Sequence, residues 1–347
     1  LSLVNVLGYN RTFFVGACLM GATAINLATA LGKGSKLKAL GSAALMGGAV
    51  SGIVGEFLLY KKMYDPIFKK ETSGNVIAVR KAKGETKRRI IISGHSDSAP
   101  EWTYTYKLGS HGVMAVAGYA VAGLGYTAAT TAALLAGKKA KKMALGQLAF
   151  LPAYAGLFKF VNHNNYVDGA NDDLTGCYIS SAVMKYLSDN DVRFENTEVV
   201  AILTGGEECG LRGAKAYFEA HPELKNDGVE TIFVGLDNIR DGDFMMIYEK
   251  DMTGMVKNDR DVCLLLRNAA LKFGKYIPIG AIPLGSTDAA AASQAGIKAA
   301  SLVAMDPAPA RYYHTRLDTA DILIPEVIDK VLNIVLQAVY DFDENGI

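Results

Sequence analysis

The sequence predicts an α/β fold, a largely parallel mixed sheet with helices on both faces, joined to four transmembrane helices arranged as two hairpins. Three observations predict it. Short β-branched runs alternate with segments of helical spacing from about residue 75 to the C-terminus. Several of those runs end in histidine or acidic residues, where open α/β sheets build their sites. Four apolar stretches stand apart from that pattern, each near the ~20 residues that a helix needs to cross a ~30 Å hydrocarbon core.

The apolar stretches come first in the chain. They run over about 12–31, 39–60, 109–137 and 143–160. Charges cluster in their connections, as Lys33, Lys36 and Lys38 in the first and Lys138, Lys139, Lys141 and Lys142 in the second. Each pair therefore reads as a helical hairpin. Gly48 and Gly52 stand four apart, the spacing that lets helices approach closely in lipid. A signal peptide would end near a cleavage site and would not recur three more times. The expected organisation is an N-terminal membrane hairpin within 1–73, a catalytic domain formed by 74–107 and 162–347, and an inserted membrane hairpin at 108–161. Lysine-rich turns favour a cytoplasmic position for those turns and an extracytoplasmic catalytic domain. Arg11, Lys61, Lys62, Lys69, Lys70, Lys107 and Lys159 at the opposite ends bring the charge count close to a tie.

The hydrophilic remainder reads as strands over Asn75–Arg80, Arg89–Ser93, Thr197–Thr204, Thr231–Leu236, Phe244–Tyr248 and Lys298–Ala304. Helices are expected over Leu174–Leu187, Leu211–Glu219, Val262–Phe273, Asp288–Ala295 and Pro325–Phe342. Buried strands alternating with helices imply a parallel sheet covered on both sides. No repeat or low-complexity tract interrupts the pattern.

Composition narrows the function. Thirty-six Lys and Arg against 35 Asp and Glu leave no basic block suited to nucleic acid. Cys18, Cys177, Cys209 and Cys263 show no paired spacing and read as free thiols. The chain starts at Leu1 without Met, which reads as a fragment or a trimmed chain with an upstream segment.

The chemistry follows the strand ends in order. His95 and Asp97 follow RIII, Glu207 and Glu208 follow EVVAILT, and Asp237 ends TIFVGLD. His314 lies in the loop after KAASLVA, and Asp172 and Asp173 open a helix just after the second apolar hairpin. Each alone is weak: an acidic pair is most often a solvated surface, and a lone histidine is more often a satisfied polar residue. Together they form a set of carboxylates that would repel one another without a cation, and nitrogen and oxygen donors without thiolate suit zinc.

GHSDS, GANDDLTG, TGGEECGLRGAKAY, GLDNI and YYHTRLDT, in that order, resemble the motifs of the co-catalytic di-zinc exopeptidases of clan MH. That clan includes secreted bacterial aminopeptidases, the glutamate carboxypeptidase type and glutaminyl cyclases. The resemblance runs from about Asn75 to the C-terminus, apart from the apolar insert. It implies a zinc-exopeptidase fold of the phosphorylase/hydrolase-like type and two zinc ions per chain. Asp172 would bridge them, with His95 and Asp237 completing one site and Glu208 and His314 the other. Glu207 would be the general base, Asp97 would orient His95, and Tyr313 matches a position that stabilises an oxyanion in some members. Asp173 matches a residue often preceded by a strained or cis peptide. Asp288 falls in the family's Ser-Asp-His stretch, where Ala289 replaces the usual histidine.

The implied protein is a membrane-anchored aminopeptidase whose partners are peptide substrates, presented at the membrane surface, and the lipid bilayer. A carboxypeptidase stays open because Arg240, Arg311 and Arg316 lie near motif residues and could anchor a carboxylate. A glutaminyl-cyclase-like enzyme and a non-catalytic membrane scaffold are the other readings. A transporter is a reading of a different class, and against it the spans carry almost no ionisable residue apart from Glu56.

Overall fold

The computed structural model describes residues 2–5, 7–32, 34–66, 70–308 and 310–347. Lys33 and Lys69, both used in the charge count above, lie outside the described residues. The chain divides into two compact units. One comprises Leu1–Asn5, Lys69–Ala99 and Val167–Ile347; the other comprises Val6–Phe68 and Pro100–Tyr166.

Elements are numbered along the whole chain. In the first unit β1 (Ser2–Asn5) and β2 (Lys70–Ser73) form an antiparallel pair. The main sheet contains β3 (Val76–Arg80), β4 (Arg88–His95), β7 (Thr197–Thr204), β8 (Glu230–Ile239), β9 (Met245–Asp251), β10 (Val256–Lys257), β11 (Ile279–Ala281) and β12 (Lys298–Ala304). Its order is β10-β9-β12-β8-β4-β7-β3, with β11 beside β9. The four central strands, β12, β8, β4 and β7, are parallel, and β3 and β9 flank them antiparallel. Helices α6 (Leu174–Asp189), α8 (Arg260–Lys272) and α10 (Pro325–Asn345) cover one face, and α7 (Arg212–Ala220) and α9 (Asp288–Gln294) the other.

The period-2 alternation of strands assigns side chains to these two layers. In β4, Ile90 and Ile92 pack with α6, α8 and α10, while Ile91 packs with Tyr217, Phe218 and Ala292 on the opposite side. All three isoleucines are fully buried, which is why the run is continuously apolar. After β4 the chain crosses to β7 on one side and then returns to β8 on the other. The carboxyl end of β4 is therefore a switch point, and β7 and β8 end on either side of it.

Two glycines let α6 reach this end. A Cβ on Gly94 would lie 2.3 Å from the carbonyl carbon of Gly176, and one on Gly176 would lie 2.4 Å from Asp173 Oδ2. Helix α6 thus starts in backbone contact with β4, and Asp172 and Asp173 arrive beside His95.

The second unit is helical: α1 (Leu7–Leu31), α2 (Lys36–Ser51, continued as a π-helix over Gly52–Leu58), α3 (Thr103–Leu135), α4 (Lys141–Gly146) and α5 (Leu151–Leu157). Strands β5 (Pro100–Trp102) and β6 (Val161–Tyr166) pair at the root of the insert. Helix α3 kinks at Gly109, whose φ of 69° no helix accommodates. Three helices are long and apolar enough to span a membrane: Thr12–Leu31, Lys36–Leu58 and Thr103–Leu135. The fourth predicted span is corrected. Residues 143–160 are broken into α4, a 3-10 turn at Gln147–Phe150 and α5, with Pro152 in the first turn of α5. Proline has no N–H to continue a preceding helix and constrains the residue before it, so a single unbroken helix does not form.

Alongside a buried apolar cluster that includes Leu19, Met46, Tyr154 and Leu157, this unit exposes large apolar side chains and buries polar ones. Leu37, Leu40, Met114, Val121, Leu145 and Leu148 face outward, while Asn26, Ser42, Thr131 and Gln147 are buried. The Asn26 amide donates to Thr131 Oγ1 at 3.0 Å, and the Ser42 and Thr131 hydroxyls meet at 3.0 Å. A further bond of 3.0 Å joins the hydroxyls of Thr127 and Tyr154.

Gly94→Ala tests the close approach in the catalytic unit. Because the clash is with backbone, it cannot be relieved by a rotamer, and a loss of about 2–3 kcal/mol is expected in thermal unfolding.

Candidate metal centre

His95 is the last residue of β4 and pairs in register with Thr204, the last of β7. Its backbone N–H donates to Asp173 Oδ2 at 3.0 Å. Its Nδ1 lies 3.0 Å from the carbonyl oxygen of Asp97. A carbonyl can only accept, so Nδ1 carries a proton, and Nε2 is the ring atom left to serve a metal. That Nε2 faces Asp172 Oδ1 at 3.1 Å. The other oxygen of Asp172, Oδ2, lies 3.0 Å from His314 Nε2, which is also 3.1 Å from Glu208 Oε1. Donor atoms of His95, Asp172 and Glu208 lie within 4.8 Å of one another, as do those of His95, Asp173 and Asp237.

Each side chain is held by its own local device. The carboxylate of Asp97 accepts from the backbone N–H of Glu207 at 2.9 Å and of Glu208 at 3.2 Å, tying the loop after β7 to the end of β4. Asp97 therefore meets His95 through its main-chain carbonyl, its own carboxylate being 3.7 Å from Nδ1. Asp237 accepts from Asn238 Nδ2 at 2.6 Å, and Asn171 in turn donates to Asn238 at 2.9 Å. His314 sits at a φ of 52°, a left-handed backbone uncommon for a residue with a side chain. Tyr313 stacks on its ring with centroids 3.9 Å apart.

Two aspartates do structural work, of which the sequence reading assigned only the helix start at Asp173. Asp173 caps α6, and its carboxylate accepts from the N–H groups of His95, Gly176 and Asn238. Those bonds occupy both of its oxygens, which sets it apart from the other acids although it lies near Asp237. The Asp172–Asp173 peptide is cis. Asp318 accepts from the backbone N–H of Asn171 at 2.7 Å and of Asp172 at 3.0 Å, fixing the segment that carries Asp172. The signal for Asp318 stood inside YYHTRLDT, four positions beyond His314, but a bond to a distant backbone amide leaves no spacing to read.

The electrostatics fit a cation. Burial pushes the carboxyls of Glu207 and Glu208 above their ordinary range, and burial with the charge of Asp172 brings Asp237 up to about 7. Asp172 resists burial because His314 and His95 hold it low. His314 is in turn raised to about 10, burial being outweighed by Glu208 and Asp172. Neither Asp172 Oδ2 nor Glu208 Oε1 makes an aligned hydrogen bond, although both are buried. Carboxylate oxygens and imidazole nitrogens that converge without aligned bonds are arranged as ligands of a shared centre, and the nitrogen and oxygen donors suit zinc.

Cys177 lies behind His95, its thiol 3.0 Å from the His95 carbonyl oxygen. Burial pushes that thiol up to about 12, so it is unreactive. All four cysteines are buried, and none is in a disulfide.

A largely parallel open sheet with a buried carboxylate and imidazole set beyond its switch point defines a metalloenzyme of the α/β class. Residues 157–339 match the profile of peptidase family M28, and the chain belongs to that family. No curated protein matches it in sequence. Its fold is similar to that of an aminopeptidase from Aneurinibacillus sp. strain AM-1, at 24% identity and a TM-score of 0.51, over 79% of this chain and 49% of that one. It is likewise similar to BSAP, a zinc aminopeptidase from Bacillus subtilis, at 19% identity and a TM-score of 0.51, over 79% of this chain and 52% of that one. LapB from Legionella pneumophila gives 14% identity and a TM-score of 0.50, over 78% of this chain and 56% of that one. The chain thus spans about half the length of these relatives, and at these identities the likeness is one of fold.

Because protons and metal compete for the same donors, zinc affinity is expected to rise with pH. Asp237 titrates near 7 and His314 near 10 in the metal-free site. Each proton lost frees a donor, so apparent affinity should strengthen from about pH 6 and go on rising toward about pH 10. Chelator competition at a series of pH values measures this.

Proposed function

We propose that this chain is a membrane-anchored zinc exopeptidase that removes N-terminal residues from peptides. In this reading His95 and Asp237 hold one zinc ion, Glu208 and His314 a second, and Asp172 lies between them. Bound zinc would polarise the scissile carbonyl and acidify a water molecule. Glu207 supplies the proton transfers.

The observation that carries this reading is the placement of Glu207. It neighbours Glu208 on the same turn, its backbone N–H is fixed by Asp97, and it is buried. Among the described residues no hydrogen bond ties its carboxyl to another side chain. A carboxylate that burial makes more basic, left unbonded beside a metal-ligand set, is suited to take a proton from water and pass it to the leaving amine. Tyr313 keeps His314 in place by stacking and is close enough in sequence to contribute to the oxyanion.

A free α-amino group can add a donor at such a site, which favours cleavage at the N-terminus. A carboxypeptidase would instead need a cationic side chain available for the substrate carboxylate. Arg240 is committed elsewhere: it donates to Ile322 O and Asp241 Oδ1 and lies 4.9 Å above the Tyr312 ring. The ligand set and the base are all present, which counts against a scaffold.

Membrane anchoring is supported by the helical unit. Only 44%, 28% and 22% of the three span windows are buried within it, so most of their apolar surface needs another covering. Lipid also explains why the hydrogen-bonding side chains turn inward. Lys36, Lys38 and Lys138–Lys142 favour a cytoplasmic position for the turns and the catalytic unit on the other side. The insert leaves the catalytic unit after Ala99 and returns at Val167, so along the chain its two ends adjoin His95 and Asp172. That connectivity suits peptides presented at the membrane surface.

Glu207→Gln tests the mechanism. It should keep its zinc while kcat on peptides with a free N-terminus falls at least ~100-fold. N-acetylated peptides should be poor substrates of the unmutated protein. Equal turnover of acetylated and free peptides would refute the aminopeptidase reading, and unchanged kcat would remove Glu207 from its role.

A further inference from the structure

Asp288 is an acidic residue near the centre that the hydrolytic reading leaves without a task. It opens α9 and is buried. Its Oδ2 accepts from the Thr204 hydroxyl at 2.5 Å and lies 3.5 Å from that of Ser93. Its Oδ1 is buried without a hydrogen-bond partner, and among the described residues no Lys or Arg pairs with it. Burial brings the carboxyl up to about 6. A buried carboxyl with neither a cation nor a full set of donors is costly, and an apolar side chain would serve packing better.

The alternation of the strands shows what the arrangement does. Ile91 on β4, and Val200 and Ile202 on β7, form the apolar layer under α7 and α9. Continuing outward with period 2, that face turns polar at Ser93 and Thr204. These two hydroxyls come from adjacent strands, and Asp288 from a distant part of the chain meets both. Ser93 is next but one to His95, and Thr204 pairs with His95 in register. Thr204 also begins the short path to Glu207 and Glu208, and its carbonyl accepts from the Ser96 N–H at 2.7 Å. Two other ties, Ser96 to Thr204 and Asp97 to the Glu207 and Glu208 amides, lie within the loops themselves. Asp288 anchors the same two strand ends to the helix layer.

We propose that Asp288 is a positioning residue of the metal centre. By accepting from Thr204 on β7 and Ser93 on β4, it holds the two strand ends at the spacing that lets His95 and the Glu207–Glu208 pair serve one metal cluster. This rests on reading the cluster as a zinc site.

The test is zinc affinity of the full chain in detergent, measured by competition with a chromophoric chelator, with kcat and KM alongside. Asp288→Ala should weaken zinc binding ~10–100-fold, the range for residues that orient metal ligands. Thr204→Val, which removes the donor from the other side, should do the same. Asp288→Asn keeps an oxygen able to accept from Thr204 and should recover most of the affinity. The Asp288→Ala/Thr204→Val pair should bind no more weakly than Asp288→Ala alone, because the interaction that Thr204→Val removes is already lost. The loss should fall on kcat rather than KM for peptide. Zinc binding by Asp288→Ala at parental strength would overturn the proposal, as would a loss in Asp288→Asn equal to that in Asp288→Ala. If Asp288→Ala does not fold, Thr204→Val and Asp288→Asn decide between the same outcomes. Failure of the unmutated protein to bind zinc would instead overturn the proposed function.

Discussion

Asp172 offers one carboxylate oxygen to His95 and the other to His314, at 3.1 and 3.0 Å, and the rest of the site is arranged to keep that contact. The two histidines come from the end of β4 and from the loop after β12, and this short side chain meets both. Its own position is set from two directions. Asp318 holds its backbone N–H, and Asp173 links the start of α6 to His95 and Asn238. Close packing of Gly94 on Gly176 is what brings that helix start within reach. Placing several carboxyls together in a buried crevice is unfavourable unless a cation compensates. The fold therefore stores an electrostatic demand at the switch point of its sheet, and the chemistry of the donors answers it with zinc.

Much of this was legible in the sequence because the relevant signals are local. Thr197–Thr204 reads as a strand with the bounds the structure gives it, since a buried β-branched run is bounded by polar residues on both sides. His95, Asp237, Glu207 and Glu208 were placed by the rule that sites form at the carboxyl ends of such strands. Asp318 was not legible, because it acts by hydrogen bonds to backbone amides far away in the chain, and neither was the long-range tie of Asn171 to Asn238. The division of labour in Asp97 was hidden for a related reason. Whether its carbonyl or its carboxylate faces His95 depends on the loop after β7, which competes for the carboxylate. Strands β10 and β11, only two and three residues long, carry too little pattern to be seen. In the fourth apolar stretch hydropathy outweighed Pro152, and the backbone followed the proline.

The two units bury their side chains differently. The catalytic unit hides isoleucine, valine and leucine on both faces of its sheet and gathers His95, Asp172, Asp173, Glu207 and His314, all buried, in one crevice. The helical unit turns other leucines, valines and methionines outward and adds buried amides and hydroxyls to an apolar interior. Asn26, Ser42 and Thr131 come from α1, α2 and α3, so the hydrogen bonds join both predicted hairpins into one unit. Such bonds gain where the alternative is an unpaired polar group in hydrocarbon, which is the condition a bilayer imposes. The same chain thus carries an enzyme's sheet and three helices long and apolar enough to span a membrane, and its sequence separates them by where the charges fall.

The central claim, that the converging carboxylates and imidazoles are a zinc site organised around Asp172, is tested most directly by metal content. Elemental analysis of the detergent-purified protein, after exposure to zinc and removal of the excess, should give about two zinc ions per chain. Asp172→Ala, folded by circular dichroism, should retain less than about one. A parent protein with no bound zinc, or Asp172→Ala with its full complement, would contradict the account.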